Sequence, residues 1–162
     1  MRAPLCLLLL TIALPALAVG NDSLILPGQR AGPVWLGKSA TTVAQVWGPA
    51  RRRLAQERVP DGGEPDYYYE YPEHGLWMLV RQGRILKIGL EAGPWRTREG
   101  LRLQVKAAEV RRAYGPGSIR RISGEDKGEP RYFLEYRSRG ITFLVRQTDQ
   151  VVEAIHLYPP GP

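Results

Sequence analysis

An internal duplication constrains this chain more than any other feature. Gly63-Glu64-Pro65-Asp66-Tyr67-Tyr68-Tyr69-Glu70-Tyr71, continuing through Gly75 to Val80-Arg81-Gln82, returns as Gly128-Glu129-Pro130-Arg131-Tyr132-Phe133-Leu134-Glu135-Tyr136, continuing through Gly140 to Val145-Arg146-Gln147. Shared residues lie 65 positions apart. Upstream, Val43, Trp47, Gly48 and Pro49 return as Val110, Tyr114, Gly115 and Pro116, 67 positions on. A repeat of this length means one supersecondary unit written twice, so a fold proposed for one copy must suit the other. The units are placed at residues 19–91 and 92–162.

Within each unit the pattern predicts a short helix and then strands. Ser39 is a candidate N-cap for a helix through Val43, Val46 and Trp47, and Gly48-Pro49 ends it. Val105, Ala108, Val110 and Ala113 repeat that spacing before Gly115-Pro116, and Thr97 to Leu101 ahead of them is a helical turn or loop. The arginine-rich segments Arg51 to Val59 and Ser118 to Ser123 are expected first strands. Tyr67 to Tyr71 and Tyr132 to Tyr136 are β-prone throughout. Four-residue loops at Pro72 to Gly75 and Arg137 to Gly140 then close hairpins onto Leu76 to Val80 and Ile141 to Val145. Ile85 to Leu90 and Val151 to Leu157 complete the sheets. The expected fold class is α+β: two tandem repeats, each a short helical segment packed on an antiparallel three- to four-stranded sheet.

If Tyr71 pairs with Leu76, alternation sorts the side chains onto two faces. Tyr67, Tyr69, Tyr71, Leu76, Met78 and Val80, with Tyr132, Leu134, Tyr136, Ile141, Phe143 and Val145, form an apolar face suited to lie under the helices. The opposite face carries Tyr68, Glu70, Trp77, Leu79 and Arg81, with Phe133, Glu135, Thr142, Leu144 and Arg146. Aromatic and aliphatic groups bordered by charge are typical of a recognition surface. The candidate contact strip is therefore Tyr68, Glu70, Trp77, Leu79, Phe133, Glu135 and Leu144, with Arg81 and Arg146 at its rim. On this reading Trp77 is a free contact whose truncation leaves stability nearly unchanged.

The first 18 residues have the pattern of a secretory signal: Met1-Arg2, an apolar run from Leu5 to Leu14, and Ala16-Leu17-Ala18 before the expected cut. The run is shorter than the roughly 20 residues needed to span a bilayer, and Pro15 interrupts it. No transmembrane segment is expected in the mature chain, and the destination is periplasmic or extracellular. Cys6 is the chain's single cysteine and falls within the signal. Pro4-Leu5 ahead of it does not suit a lipidation site, and its loss leaves no disulfide or thiolate chemistry. The net charge of +7 suggests anionic partners, but export argues against nucleic acid and the arginines are dispersed.

The helix ending in Gly-Pro followed by a Tyr-rich antiparallel sheet resembles the tandem-repeat β-lactamase inhibitory proteins. It also resembles the single-unit outer-membrane lipoproteins of the barrel-assembly machinery (the SmpA/OmlA type). The residues that carry the resemblance are Leu36-Gly37, Ser39, Val43, Trp47-Gly48-Pro49, Tyr69-Glu70-Tyr71 and Gly75-Leu76. In the second copy they are Arg96-Thr97, Gly100-Leu101, Val110, Ala113-Tyr114-Gly115-Pro116, Tyr136 and Gly140-Ile141. The chain departs from the inhibitors in lacking their disulfides and from the lipoproteins in lacking a lipidated cysteine. The resemblance implies a non-enzymatic envelope or secreted protein that holds a partner with its sheet or loops.

Catalytic patterns fail on context. Gly32-Pro33-Val34-Trp35-Leu36-Gly37-Lys38-Ser39 matches the phosphate-binding loop in letters. However, Pro33 removes an N–H donor, Trp35 is bulky, and no buried strand precedes it. His74 and His156, read as a turn and an edge-strand residue, lack the companions of a metal site. Glu70 and Glu135 match through duplication and need no glycosidase to explain them. No cofactor and no metal are expected, and no enzyme constellation assembles. The expected function is binding of an envelope or secreted protein through the exposed sheet face. The alternative is binding of an anionic envelope polymer or lipid head groups through surface arginines.

Overall fold

The computed structural model describes residues 22–55, 65–122 and 129–161. The expected signal and its cleavage site lie outside them. The chain opens with three very short strands, β1 (Leu24–Leu26), β2 (Arg30–Ala31) and β3 (Val34–Trp35), and then the helix α1 (Thr41–Trp47). Four strands follow: β4 (Arg51–Leu54), β5 (Tyr67–Tyr71), β6 (Leu76–Arg81) and β7 (Arg84–Leu90). After the two-residue β8 (Arg96–Thr97) come α2 (Ala107–Tyr114), β9 (Ser118–Arg121), β10 (Arg131–Tyr136), β11 (Ile141–Arg146) and β12 (Val151–Leu157). The architecture is α+β and mostly strand.

The expected hairpin register is present: Tyr71 pairs with Leu76, Glu70 with Trp77, Tyr69 with Met78 and Tyr68 with Leu79. Tyr136 pairs with Ile141, Glu135 with Thr142 and Phe133 with Leu144. Each hairpin closes through a 3-10 turn ending in a left-handed glycine, Gly75 at φ 59° and Gly140 at φ 67°. A Cβ at Gly140 would meet the Tyr158 carbonyl oxygen and at Gly75 that of Ala92, so close approach and backbone sign both demand glycine.

The three- to four-stranded sheet expected for each repeat does not stand alone. β7 pairs antiparallel with β12 through Leu90–Ile155, Gly89–His156 and Ile88–Leu157, giving one eight-stranded sheet in the order β4-β5-β6-β7-β12-β11-β10-β9. A second sheet, β3-β2-β1-β8, forms from the three short strands ahead of α1 and from Arg96–Thr97, at the start of the stretch expected as a helical turn or loop. Its parallel β1–β8 contact joins Leu24 to Arg96 and Ile25 to Thr97.

The inner face of the large sheet buries Tyr71, Met78, Val80, Leu134, Phe143 and Val145 in one cluster with Val43 of α1, Val110 of α2 and Ile25, Ala31 and Val34 of the small sheet. Aromatic edges fasten the helices: Trp47 meets Tyr71 at 5.3 Å, and Tyr114 meets Tyr136 at 5.4 Å. The N-cap of α1 is Ala40 rather than Ser39. Ser39 still accepts the Thr41 N–H through its Oγ at 3.3 Å. Lys106 precedes α2, and the Glu109 side chain accepts its backbone N–H at 3.2 Å, while the Lys106 ammonium donates to the Asp149 carbonyl.

The segment that matches a phosphate loop spends its N–H groups internally. Those of Leu36, Gly37 and Lys38 donate to the carbonyls of Gln29, Ile85 and Trp35. They are therefore not aimed together at a phosphate.

Candidate functional site

The helices and the small sheet pack against the inner face, leaving the outer face of the eight-stranded sheet as the candidate surface. Pairing places Glu70, Trp77, Gly89, His156, Thr142 and Glu135 in one row across it. Beside that row runs a continuous series of ring contacts. Arg53 lies over Tyr68 at 4.6 Å, and Tyr68 meets Trp77 edge-on at 5.3 Å. Trp77 meets His156 at 5.4 Å, His156 meets Phe133 at 5.8 Å, and Arg120 lies over Phe133 at 4.3 Å. The series starts and ends on an arginine of an edge strand.

Of the nine expected strip residues, Tyr68, Glu70, Trp77, Leu79, Phe133 and Leu144 are half-buried on this face. Trp77 is held by its own sheet more closely than a free contact would be. Its Nε1 donates to Glu91 at 2.8 Å, and its ring occupies the space above Gly89. Glu135 does not belong to an exposed strip: it is 7% exposed, accepting from Arg120 Nε at 2.6 Å and from Arg137 Nε at 3.1 Å. Those two guanidinium groups hold its carboxyl below the usual range although burial pulls the other way. Glu70 accepts from Arg53 at 2.9 Å.

The rim arginines are committed as well. Arg81 is exposed and bidentate to Asp66, at 2.8 and 2.7 Å, and lowers that carboxyl's pKa. Arg146 is half-buried and pairs with Asp149 at 3.0 Å, with Glu129 and Glu153 slightly farther.

Two residues central to this face were not among the expected strip residues, Lys87 and His156. β12 lies in the middle of the sheet, so His156 is not an edge histidine. Burial, then the charges of Lys87 and Arg120, push its pKa down to about 3, so the imidazole is neutral at neutral pH. Lys87 lies over Trp77 at 5.4 Å, and burial lowers its pKa. Strict alternation from Leu79, the partner of Lys87, and from Thr142, the partner of His156, would have placed both on this face. His74 sits elsewhere, stacked on Trp47 at 4.0 Å. Among the described residues no three His, Cys, Asp or Glu side chains gather as metal ligands would, and no helix is long and apolar enough to cross a membrane.

Two cavities open on the face. One of 560 Å³ lies among Arg53, Tyr68, Glu70, Trp77 and Glu91. The other, of 310 Å³, lies among Lys87, Arg120, Glu135, Arg137, Thr142 and His156.

No protein-family model and no curated protein sequence matches the chain. Solved structures do match its fold. The structure of the uncharacterized protein yfeY from Escherichia coli aligns at TM-score 0.54 and 11% identity, over 82% of this chain and 98% of that one. An extracellular protein containing a SCP domain from Bacillus anthracis str. Ames aligns at TM-score 0.53 and 7% identity, over 76% of this chain and 44% of that chain. At these identities the likeness concerns the fold alone.

Proposed function

We propose that this is an exported, non-enzymatic envelope or secreted protein, built as a duplicated unit, that holds a protein partner on the outer face of its large sheet. The observation that carries the reading is the half-buried aromatic series from Tyr68 to Phe133. It crosses the joint between β7 and β12, with an arginine at either end. Aromatic groups flanked by arginine are what interface hot spots are made of. The signal-like first 18 residues support export, and the SCP-domain protein of B. anthracis that shares the fold is extracellular. The resemblance to barrel-assembly lipoproteins and β-lactamase inhibitory proteins supports the same class of work. Duplication is supported by the matched registers and by strand irregularities at Leu79/Val80 and Leu144/Val145.

The alternative, an anionic polymer or lipid head groups held by surface arginines, draws less support. Arg81 and Arg146, its natural anchors, are already neutralised by carboxylates. The test is capture from an envelope extract of the source organism by the chain from Val19 onward. The partner reading expects a specific protein to be retained by wild type and by Arg81→Ala/Arg146→Ala. It should be lost with Leu79→Asp/Leu144→Asp, provided that variant's melting temperature shows it folded. Retention unaffected by the leucine variant would remove the face from consideration.

A further inference from the structure

The two cavities of the outer face occupy corresponding places in the sheet but differ in charge. The 560 Å³ cavity sets Arg53 against Glu70 and Glu91. The 310 Å³ cavity gathers Lys87, Arg120 and Arg137 around the single carboxylate of Glu135. The excess of cations is thus local to one cavity rather than a general consequence of a basic chain. Glu135 also does something specific with it. By accepting from Nε of Arg120 and from Nε of Arg137, whose Nη2 lies 3.0 Å away as an ion pair, it fixes both guanidinium groups by one edge and leaves other N–H donors uncommitted to it.

Lys87 has no carboxylate partner among the described residues. Its ammonium is half-buried over the Trp77 ring, a position made less favourable by lost solvation and by the charge of Arg120. Neutral His156 adds one donor and one acceptor to the wall, and Thr142 Oγ1 and the Tyr158 hydroxyl, 2.7 Å apart, add a hydroxyl pair. Lys87 and the guanidinium groups supply a point charge and separate N–H donors from different strands and from the turn after β10. A tetrahedral oxyanion with several acceptor oxygens suits them better than a second planar carboxylate. The volume exceeds that of a bare oxyanion and falls at the small end of ligand pockets.

We propose that the cavity between Lys87, Arg120, Arg137 and His156 binds the phosphate group of a compact phosphorylated molecule. The site shares Arg120 and His156 with the aromatic series of the partner face but stands without any protein partner, so either reading survives failure of the other. Such a group completes the environment of Lys87 and offsets the net positive charge that Glu135 alone leaves.

The test is histidine side-chain NMR on the chain from Val19 onward, because His156 lines the cavity while His74, stacked on Trp47 away from it, is an internal control. Inorganic phosphate, glycerol 3-phosphate, and phosphatidylcholine vesicles with or without phosphatidic acid are titrated at matched ionic strength. The expected result is a saturable shift of His156 with His74 unmoved, and at least about ten-fold weaker binding in Lys87→Met, which loses one charge-assisted contact. Lys87→Met keeps an aliphatic stem over Trp77, and its amide spectrum reports whether it is folded. Response to the soluble phosphates assigns a free ligand, and response to phosphatidic acid vesicles alone assigns a lipid head group. Equal movement of both histidines, no saturation in any arm, or unchanged affinity in folded Lys87→Met would overturn the proposal.

Discussion

A methyl group added to Gly89 would lie 2.0 Å from Cε2 of the Trp77 indole, although the strand there is not in the left-handed region where only glycine is at ease. The clash is therefore steric and concerns one side chain. Gly89→Ala is expected to push the indole off its seat, loosening its contacts with Tyr68 and His156 and its bond to Glu91. The cost should be about 1–3 kcal/mol in chemical denaturation. Trp77→Ala should also destabilise, contrary to the expectation from sequence, because the ring is packed and hydrogen-bonded. Gly89→Ala should then cost little in the Trp77→Ala background, and a coupling energy near zero would show that the ring does not depend on Gly89. His156 gives a second expectation. Its folded pKa of about 3 lies below the ordinary 6.5, so above pH 6.5 it is neutral in both states and contributes no pH dependence. Below pH 6.5 the unfolded chain binds a proton that the folded chain refuses, and stability falls with a slope approaching about 1.4 kcal/mol per pH unit. Between pH 6.5 and 5 the paired carboxylates are not yet protonated, so urea titrations there should show the slope in wild type and a flatter profile in His156→Gln. Equal slopes would place the titration elsewhere.

The elements differ in how far they could be read from sequence, and the difference has a physical origin. The β5–β6 and β10–β11 hairpins were legible because five or six alternating residues and a left-handed glycine fix both register and face. The small sheet was not, since strands of two or three residues such as Arg30–Ala31 and Val34–Trp35 are too short to display a period, and Pro27, Gly28 and Pro33 between them signal loop. β4 and β9 start where strands were expected, at Arg51 and Ser118, but are shorter, ending at Leu54 and Arg121. The ends of the expected spans, residues 56–59 and 123, lie outside the described residues. Four exposed, arginine-rich residues in each suit an edge strand. Helix ends were legible through Gly48-Pro49 and Gly115-Pro116, but not what holds them. Tyr71 donates its hydroxyl to the Gly48 carbonyl at 3.1 Å and Tyr136 donates to the Gly115 carbonyl at 2.8 Å, each tying the end of a helix to the sheet. Tyr136→Phe should keep the ring contact with Tyr114 and lose the tie. The expected loss is about 1 kcal/mol, with faster amide exchange in α2 than in the rest of the chain. Unchanged exchange in α2 would mean ring packing alone anchors that helix.

At the scale of the whole molecule, duplication predicted two like units but left open whether they stand apart. No local pattern in Ile88-Gly89-Leu90 or Ile155-His156-Leu157 says that these segments pair, because the partner lies far along the chain and both runs suit any buried strand. The same ambiguity hid the continuity of the candidate face: until β7 and β12 join, Trp77 and His156 belong to different sheets, and neither the aromatic series nor the Lys87 cavity exists. Three Cα-paired positions make the joint, but its side chains, Leu90, Ile88, Ile155 and Leu157, are all fully buried in one cluster with the inner faces of both halves. The β1–β8 pairing bridges residues 24–25 and 96–97 a second time. A core shared in this way should melt as one cooperative unit. The tryptophans allow the test, since Trp35, Trp47, Trp77 and Trp95 all precede α2 and none lies in β9 to β12. Ile155→Ala truncates a side chain that belongs to the second half and packs at the joint, at an expected cost of about 2–5 kcal/mol. If the fold is one unit, tryptophan fluorescence, which sees residues 35 to 95, and far-ultraviolet circular dichroism, which sees every strand, should shift to lower denaturant together. A fluorescence transition left at its wild-type midpoint while the dichroism becomes biphasic would mean that residues 19–91 and 92–162 fold independently, with the joined sheet a weak contact between them.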